Sequence, residues 1–469
     1  MNKKWQIELE NVIKDNKRIL TNPADLLSYG FDASFGQYKP ERVVQPLNRE
    51  EVAEVMKLAN KHSIPVYPRG QGTCLSGGPL PLKGGIVLDT CRMTAKLIID
   101  SENLTAVVSP GIITSKIKEA VDKEGFFYPP DPSSAHVSTI GGNVAENSGG
   151  PRGLKYGVTG NYVLGLEVVT PEGEIINTGG RTIKNVTGYN LTQLLVGSEG
   201  TLGVITEITL RLIPKPKSRV SILTVFDDLM DSGRAISRVL SSGIMPSAME
   251  IMDKHCIKAV ENYKPAGYPT DAAAILLIEL DGHPKAIEEE AQQVDQICRE
   301  VGARDVQIAV GEEDQKKLWE ARKLVSPAIA KIKPTKISED ATVPRSKIPE
   351  MFDRLNKIRD KYNLELVVFG HAGDGNLHPN ILADKRDRDE MKRVEMAVAE
   401  IFEAAIELGG TLSGEHGIGT MKSPFMEKEL GTMGLAMMKR VKEAWDPNNI
   451  MNPGKIFPEK GQSKLVLTE

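Results

Sequence analysis

The chain has 469 residues, about three times the usual domain length, so we expect two or three domains with cores large enough to enclose a deep site. Its apolar fraction of 40% and charged fraction of 26% are those of an ordinary soluble protein, and the net charge of -4 gives no sign of a polyanion-binding surface. The longest apolar runs fall far short of the roughly 20 residues that span a bilayer.

The first 20 residues mix acidic, basic and apolar side chains and lack the apolar core of a secretory signal, which predicts a cytoplasmic protein. The four cysteines, Cys74, Cys91, Cys256 and Cys298, are widely separated and form no CxxC pair. The sequence therefore encodes neither an iron–sulfur cluster nor a thiolate zinc site. Any redox chemistry needs an organic cofactor or a site built from histidines and carboxylates.

The first region, residues 1–218, is rich in glycine and in short β-branched runs. These runs predict many short strands, for example Ile86–Leu88, Thr105–Val108 and Val204–Leu210. Apolar residues at helical spacing predict helices at Arg49–His62, which leads into a strand at Pro65–Tyr67, and at Ile112–Glu124. We therefore expect an α+β domain.

The segment 212–218, LIPKPKS, contains two prolines that stop a strand, and we place a domain boundary there. Residues 219–425 alternate longer helical patterns with strands such as Ala273–Leu280 and Leu364–Phe369. The predicted helices are Asp231–Ser241, Pro284–Val301, Glu312–Ala330, Lys347–Lys361 and Arg386–Leu408. This order favours an antiparallel sheet with helices on one face. The last region, 426–469, contains an amphipathic helix and then the loop DPNNIMNPGKIF.

Three segments of the first region have unusual loop chemistry. The segment 68–78, PRGQGTCLSGG, follows a strand, and its glycines let backbone N–H groups converge on an anion such as a pyrophosphate. By itself it could equally be a glycine-rich hairpin without a ligand. The segment 129–152 is a second long polar loop, and 196–206, VGSEGTLGVIT, places two turns before a strand. Such loops in one domain indicate one large ligand.

Together these segments resemble the FAD-binding domain of the vanillyl-alcohol oxidase and p-cresol methylhydroxylase flavoprotein superfamily. The resemblance covers essentially the whole chain and is strongest to the branch of the glycolate oxidase large subunit, D-lactate dehydrogenase and D-2-hydroxyglutarate dehydrogenase. It implies an α+β fold with a two-subdomain FAD-binding domain at 1–218. It further implies a cap domain of antiparallel sheet and helices at 219–425, which binds substrate and metal, and a segment at 426–469 that returns to the flavin.

The resemblance also assigns the flavin contacts. The first loop corresponds to the one that wraps the FAD pyrophosphate, the second lines the isoalloxazine and ribityl chain, and the third lies near the adenine and ribose. Some relatives attach FAD through a histidine where this sequence has Thr73, so we expect a noncovalent flavin. The implied contacts are Pro68, Arg69, Gly70, Gln71, Gly72, Thr73 and Ser76, then Asp131, Ser134, Ser138, Gly141, Gly142 and Asn147, then Glu199, Gly203 and Ile205, and finally Asn452.

Three of only seven histidines lie in two glycine-rich loops of the second half. In FGHAGDGNLHPN a strand ends at His371, the turn reverses the backbone, and His378 returns to the same side, which offers two imidazoles to one metal. The segment SGEHGIG adds Glu415 and His416. A histidine in such a loop is by itself more often structural or solvated. The resemblance, however, implies that His371, His378 and Glu415 bind a divalent metal, which could be Zn, Mn or Fe.

A metal with open positions can bind the carboxylate and hydroxyl of a 2-hydroxy acid and lower the pKa of that hydroxyl. His416 is then the candidate general base, with a fourth metal ligand or a hydrogen-bonded residue as the alternatives. The resemblance implies that Arg322, in the segment WEARK, grips the substrate carboxylate and that Asn380 and Lys336 contact the substrate. Basic residues on helices are usually solvated, so WEARK alone is weak support. Tyr189 either reaches the active site or is packed in the domain.

The predicted activity is the FAD-dependent oxidation of a small D-2-hydroxy acid, with D-lactate preferred, by proton abstraction and hydride transfer to flavin N5. Glycolate and D-2-hydroxyglutarate are alternative substrates, and direct reaction with oxygen is an alternative to a dehydrogenase. A non-catalytic FAD-binding electron-transfer subunit is the alternative of another class. Because the chain carries no further redox motif, we expect a separate electron acceptor. The resemblance implies electron-transfer flavoprotein, an iron–sulfur partner subunit or a quinone-linked system, of which we favour electron-transfer flavoprotein, and it permits coupling to NAD with or without ferredoxin. We expect no nucleic-acid partner.

Overall fold

The architecture comes from a computed structural model that describes residues 4–459, 462, 465 and 467. Its helices are α1 (Lys4–Val12), α2 (Pro23–Ser28), α3 (Arg49–His62), α4 (Thr114–Lys123), α5 (Ile140–Glu146), α6 (Gly153–Tyr156), α7 (Leu191–Leu195), α8 (Leu229–Ser241), α9 (Lys254–Tyr263), α10 (Pro284–Glu300), α11 (Glu312–Ile329), α12 (Ile348–Tyr362), α13 (Arg388–Glu407) and α14 (Met426–Trp445). Its strands are β1 (Ile19–Leu20), β2 (Arg42–Val44), β3 (Val66–Arg69), β4 (Ile86–Asp89), β5 (Leu97–Asp100), β6 (Thr105–Val108), β7 (Phe126–Phe127), β8 (Val163–Val169), β9 (Ile175–Gly179), β10 (Val204–Arg211), β11 (Ile213–Pro214), β12 (Ser218–Phe226), β13 (Ala248–Asp253), β14 (Ala274–Gly282), β15 (Ala303–Ala309), β16 (Thr335–Ser338), β17 (Ala341–Thr342), β18 (Glu365–His371) and β19 (Asn376–Ala383).

Helix α3 illustrates why the local sequence forms these elements. The Asn48 side chain accepts a hydrogen bond from Glu51 N at 2.9 Å and caps the N-terminus, and Ser63 ends the helix in the left-handed conformation. Its buried face packs into a core with Val52, Val55, Met56 and Ala59. The observed bounds of α3 equal the predicted ones, and the other helices and strands predicted above form within two residues of their expected ends.

The chain divides into two compact units. The first contains Met1–Ser148, Val158–Lys215 and Glu415–Lys464. It has a four-stranded sheet of order β1-β2-β4-β3, in which β2, β4 and β3 are parallel, and a five-stranded antiparallel sheet of order β5-β6-β10-β8-β9. Helices α1 and α3 pack with the four-stranded sheet in one core. This unit contains the segments 68–78 and 196–206, and it contains the segment 129–152 as far as residue 148.

The second unit contains Gly149–Gly157, Pro216–Gly414 and Leu465–Glu469. Its eight-stranded sheet has the order β15-β12-β14-β13-β18-β19-β16, with β17 also paired to β19, and its pairings are antiparallel as predicted. Helices α9 and α11 share one core with alternate residues of the strands, for example Leu223, Leu277 and Phe369. Helices α8 and α10 also pack against β12 and β14.

The expectation of helices on one face of this sheet is therefore wrong. Residues 274–281 of β14 and 220–226 of β12 are buried without alternation, which requires cover on both faces. The run AILLIEL already lacked the apolar–polar alternation of a strand with one solvated face.

The two compact units and the three predicted domains, 1–218, 219–425 and 426–469, divide the chain at different residues. The chain leaves the first unit after Lys215 and returns to it at Glu415, and residues 149–157 belong with the second unit. None of the described helices is both long and apolar enough to cross a membrane.

Candidate functional site

The three glycine-rich segments of the first unit meet in the structure. Gly70 approaches Thr139 so closely that a Cβ atom at position 70 would lie 2.3 Å from the threonine hydroxyl. The N–H of Glu199 donates to Ala145 O at 2.8 Å, which joins the second and third segments. The segments assigned to FAD are therefore neighbours, as one large ligand requires.

Two of the predicted contact residues carry buried polar atoms that fit an oxygen-rich ligand. The Arg69 Nη2 donates to Phe31 O at 2.9 Å, whereas its Nη1 is buried and has no hydrogen-bond partner among the described residues. The Ser138 hydroxyl is also buried without a partner in the described part of the chain. Such groups are costly when unsatisfied. The phosphate, ribityl and ring oxygens of FAD are acceptors that suit both, and burial lowers the Arg69 pKa in a way that a bound anion would oppose.

The C-terminal loop ties two of these segments together. Asn452 is buried, and its Nδ2 donates to Gly78 O at 2.9 Å and to Glu199 O at 2.6 Å. Lys455 is also buried, and its Nζ donates to Leu80 O at 2.5 Å and to Asn452 Oδ1 at 3.3 Å. Burial lowers the pKa of Lys455 to about 7, against the opposing charge of Glu199. The Asn452 side chain thus holds the segments assigned to the flavin.

Glu199 anchors the chain that follows His416. Its carboxylate accepts hydrogen bonds from Ile418 N and Gly419 N, each at 2.7 Å. Burial and the neighbouring Glu199 charge raise the pKa of Glu146 well above its usual value, which favours the neutral acid. The Glu199 carboxylate, expected near the adenine and ribose, is therefore engaged by two backbone amides.

The remaining flavin residues stay predictions. Asp131 forms an ion pair with Lys118 at 2.5 Å, and Gly72 has a φ of 68°. Asn147 ends α5 in the left-handed conformation and accepts a hydrogen bond from Gly160 N at 2.7 Å. The others lie in the same loops or in the adjoining strands β3 and β10 and helix α5: Pro68, Gln71, Thr73, Ser76, Ser134, Gly141, Gly142, Gly203 and Ile205.

In the second unit, the hairpin of β18 and β19 brings two histidines together. Phe369 pairs with His378, and His371 pairs with Asn376. Because side chains alternate along a strand, both imidazoles lie on one face of the sheet. Their ring centroids are 5.0 Å apart, and both side chains are buried. The convergence expected from the sequence is therefore present.

A buried carboxylate lies at the Nδ1 atom of each imidazole. Glu250 Oε1 is 2.6 Å from His371 Nδ1, and Asp340 Oδ1 is 3.2 Å from His378 Nδ1. Metal-binding histidines usually donate one ring N–H to a carboxylate, as His371 can to Glu250, and the other nitrogen, Nε2, is then the atom that can bind a metal. For His378 and Asp340 the contact is one of ion-pair distance. This donor set fits a divalent metal. Burial alone would raise the Glu250 pKa, but the charges of His371 and Arg322 outweigh it and lower that pKa.

The predicted substrate-binding cations lie in the same unit. Arg322 Nη2 is 2.6 Å from Glu250 Oε2, and Lys336 Nζ donates to Ser326 Oγ at 2.8 Å. Arg322 and Ser326 are four residues apart on α11 and therefore share one face of the helix. Burial lowers the Lys336 pKa, so a bound carboxylate would favour its charged form.

Asn380 has a buried acceptor that fits a ligand. It is two residues beyond His378 in β19, so both side chains lie on the same face. Its Nδ2 donates to His378 O at 2.8 Å, and its Oδ1 is buried without a hydrogen-bond partner among the residues that the structure describes. A substrate hydroxyl or a metal-bound water can donate to this oxygen.

Glu415 and His416 follow two residues of the second unit, Ser413 and Gly414, that lie close to Asp340 and to β17. Ser413 Oγ donates to Asp340 Oδ2 at 2.8 Å. A Cβ atom at Gly414 would lie 2.5 Å from the hydroxyl oxygen of Thr342. The roles of Glu415 and His416 stay predictions.

Sequence reasoning missed Glu250, Asp340 and Ser326. Glu250 had a readable signal, because it is a carboxylate inside the otherwise apolar run AMEIM. Asp340 and Ser326 had none that distinguishes them from surface residues. Tyr189 is 95% exposed, which contradicts the alternative that it is packed in the domain.

Comparisons with known proteins identify the family of the chain. A model of the C-terminal domain of FAD linked oxidases matches residues 215–456, and a model of an FAD binding domain matches residues 40–179. The glycolate oxidase subunit GlcD of Bacillus subtilis is 48% identical over 94% of both chains. The chain belongs to the FAD-linked oxidases. It is an FAD-binding oxidoreductase, and the non-catalytic alternative is not supported.

Other relatives place it in the same family. The GlcD subunit of Escherichia coli is 38% identical over 94% of this chain and 88% of its own. A D-lactate dehydrogenase of Archaeoglobus fulgidus is 37% identical over 96% of this chain and 99% of its own. Both names occur in the branch to which the sequence bore the strongest resemblance.

Solved structures support the fold. p-Cresol methylhydroxylase superposes with a TM-score of 0.79 at 18% identity, over 97% of this chain and 96% of its own. A 4-ethylphenol oxidase of Gulosibacter chungangensis gives 0.77 at 19% identity, over 98% of both chains. The predicted fold class, with an FAD-binding domain of the p-cresol methylhydroxylase type and a cap of sheet and helices, is confirmed.

Lys455→Met should flatten the pH dependence of unfolding. The folded side chain titrates at about 7 and its ordinary value is 10.5, so between these values the unfolded state binds a proton that the folded state lacks. Lys455 therefore makes the free energy of unfolding rise with pH across this window. Denaturant titrations of flavin-free protein from pH 7 to 10 measure the slope. The exposed Lys39→Met is the control with the wild-type slope, and an unchanged slope in Lys455→Met would contradict the assignment.

Proposed function

We propose that this FAD-linked oxidoreductase oxidises a small D-2-hydroxy acid, with D-lactate preferred, to the 2-oxo acid. Relatives named as D-lactate dehydrogenases and as glycolate oxidase subunits support this substrate class. Glycolate is the alternative of the same kind, because it offers the same carboxylate and hydroxyl. D-2-hydroxyglutarate shares these groups and adds a second carboxylate.

The observation that carries the proposal is the polar cluster on one face of the cap sheet. Two imidazoles held by carboxylates lie 5.0 Å apart by ring centroid, in the same unit as Arg322 and beside Asn380 with its unsatisfied Oδ1. A 2-hydroxy acid presents an anionic carboxylate and a hydroxyl on adjacent carbons. A cation, a metal site and a hydrogen-bond acceptor are the groups that recognise that pair.

Two bound groups supply the chemistry that the side chains lack. FAD, when bound by the first unit, supplies the two-electron oxidant that accepts the C2 hydrogen as hydride. A divalent metal, when bound by His371, His378 and Glu415, supplies a Lewis acid that lowers the pKa of a coordinated hydroxyl. Zn, Mn and Fe all suit two imidazoles and one carboxylate.

The chain itself binds and orients the substrate and accepts its proton. Arg322 and Lys336 bind the substrate carboxylate, and Asn380 is a further contact to the substrate. His416 accepts the hydroxyl proton as C2 becomes a carbonyl carbon, since an imidazole titrates near neutral pH. Electrostatic stabilisation of the developing alkoxide is the largest contribution expected from such a site.

The reduced flavin then needs an acceptor. The relatives named as glycolate oxidase subunits support a complex with other chains. We propose electron-transfer flavoprotein as the partner, with an iron–sulfur subunit as the alternative and oxygen as the acceptor if the enzyme is an oxidase. Copurification separates the first two, and the rate of flavin reoxidation in air identifies the third.

The flavin should be released by acid. Thr73 cannot form the histidyl bond found in some relatives, so precipitation with trichloroacetic acid should leave a colourless pellet and a yellow supernatant. Spectrophotometry of both fractions measures the result. Colour retained in the washed pellet would show a covalent link and refute the noncovalent assignment.

Anaerobic reduction of the bound flavin tests the substrate. D-lactate and glycolate should bleach the flavin absorbance, with D-lactate faster, whereas L-lactate should be slower by at least an order of magnitude because its C2 hydrogen lies on the other face. Stopped-flow absorbance over a panel of D- and L-2-hydroxy acids gives the rates. Lack of bleaching by every member of the panel would exclude this substrate class.

Loss of the metal should abolish turnover and spare the flavin. His378→Ala and Glu415→Ala should lose bound metal and activity but keep FAD, because the flavin segments lie elsewhere in the chain. His416→Ala should keep the metal and lose at least about 100-fold in kcat, as expected for a general base. Elemental analysis, flavin absorbance and steady-state rates measure the three quantities.

Full activity of metal-free protein would reject the metal mechanism. Loss of metal from His416→Ala would instead assign that residue as a ligand. His283→Ala is the control, since this exposed histidine lies outside both histidine-bearing loops and outside the flavin segments and should behave as wild type.

A further inference from the structure

A single buried side chain contacts two of the predicted functional residues. Glu250 lies on β13, directly opposite His371 in the antiparallel pairing with β18, and its side chain is 0% exposed. Oε1 is 2.6 Å from His371 Nδ1. Oε2 accepts from Arg322 Nε at 2.9 Å and is 2.6 Å from Arg322 Nη2. The two oxygens of one carboxylate thus serve two different partners.

The Arg322 guanidinium, the second partner of Glu250, is held on two sides. The Arg322 guanidinium carbon lies 4.7 Å from the centroid of the Phe369 ring, and Phe369 pairs with His378 across the hairpin. The Glu250 contact uses Nε and Nη2, so the orientation of the guanidinium is set by the carboxylate and by the ring together. A shift of Glu250 would therefore move the guanidinium and the His371 imidazole at once.

We propose that Glu250 is a positioning residue that couples metal binding to substrate binding, because one oxygen orients the ligand His371 and the other orients the substrate-binding Arg322. The inference rests on the proposed function and deepens it. It assigns Glu250 no contact with the metal or with the substrate. Its energetic basis is that a fully buried carboxylate retains its charge only with well-placed partners, and here both partners are functional groups.

The first measurement is metal affinity without turnover. Metal-free protein is titrated with Zn²⁺ against a chromophoric chelator, which requires neither substrate nor activity. Glu250→Gln should weaken Zn²⁺ binding by about 10-fold to 100-fold, as loss of a carboxylate behind a metal-bound histidine usually does. Glu365→Gln is the matched control, because this exposed glutamate lies on the same strand as His371 and should bind Zn²⁺ like the wild type.

The second measurement separates the two functions of the carboxylate. With Zn²⁺ in excess over the weakened dissociation constant, Glu250→Gln should recover most of its kcat while the KM for the hydroxy acid stays raised, by about 10-fold. Excess metal restores the occupied site but cannot restore the orientation of Arg322. In the Arg322→Gln background the further Glu250→Gln change should leave KM unchanged, since the shared interaction is already lost.

The same variants of Glu250 and Arg322 also provide the control for correct folding. Glu250→Gln alone leaves the charge of Arg322, whose side chain is only 12% exposed, without its partner, which can destabilise the protein. The Glu250→Gln, Arg322→Gln pair replaces two charges by two amides and should fold, yet still bind Zn²⁺ weakly. Thermal melting of each variant identifies any that fails to fold.

Three results would overturn the inference. Wild-type Zn²⁺ affinity in the double variant would show that Glu250 does not position His371. Recovery of both kcat and KM with excess Zn²⁺ would show that it does not position Arg322. Equal changes in Glu365→Gln would indicate a general effect. Failure of the proposed function is distinct, because the wild type itself would then lack metal-dependent oxidation of hydroxy acids.

Discussion

The register of the β18–β19 hairpin is the constraint on which the candidate site depends. Phe369 faces His378, so the two imidazoles fall on one face of the sheet, and a slip by one residue would put His378 on the other face. Gly370 makes this pairing possible, because a Cβ atom there would lie 2.5 Å from Asn376 O. Gly375, with a φ of 86°, closes the turn. Glycines therefore fix the placement of the two imidazoles.

Polar groups inside an apolar sheet are tolerated only when they are paired. Glu250 and Asp340 are both fully buried, and each lies at the Nδ1 atom of one histidine. These contacts leave the opposite ring nitrogen of each imidazole for a metal. The first unit shows the same principle at Glu199, whose buried carboxylate accepts two backbone N–H groups. In both units, buried carboxylates fix loops and side chains that the proposed reaction needs.

The sequence predicted local structure well. Helix α3 has its predicted bounds because its cap, its acidic first turn and its apolar spacing all agree. The glycine-rich segments and the pair His371 and His378 were readable because their chemistry lies within about a dozen consecutive residues. The family resemblance then connected segments that are distant in the sequence.

What the sequence could not give depends on pairings between distant strands. Glu250 and His371 are 121 residues apart, and only the pairing of β13 with β18 makes them neighbours. The same holds for Asp340, which contacts His378 from the connection between β16 and β17. The expectation that helices cover only one face of the sheet was wrong for a different reason. It overlooked that apolar and polar residues do not alternate along β14. Side-chain roles that depend on register therefore require the structure.

The most direct test of the account is a crystal structure of metal-saturated protein with anomalous data at the absorption edge of the metal. We expect one anomalous peak in the cap, about 2.0–2.3 Å from Nε2 of both His371 and His378 and from a carboxylate oxygen of Glu415. Glu250 and Asp340 should remain at the Nδ1 atoms. A peak at Nδ1 of either histidine, or no peak on the hairpin in saturated crystals, would contradict the account.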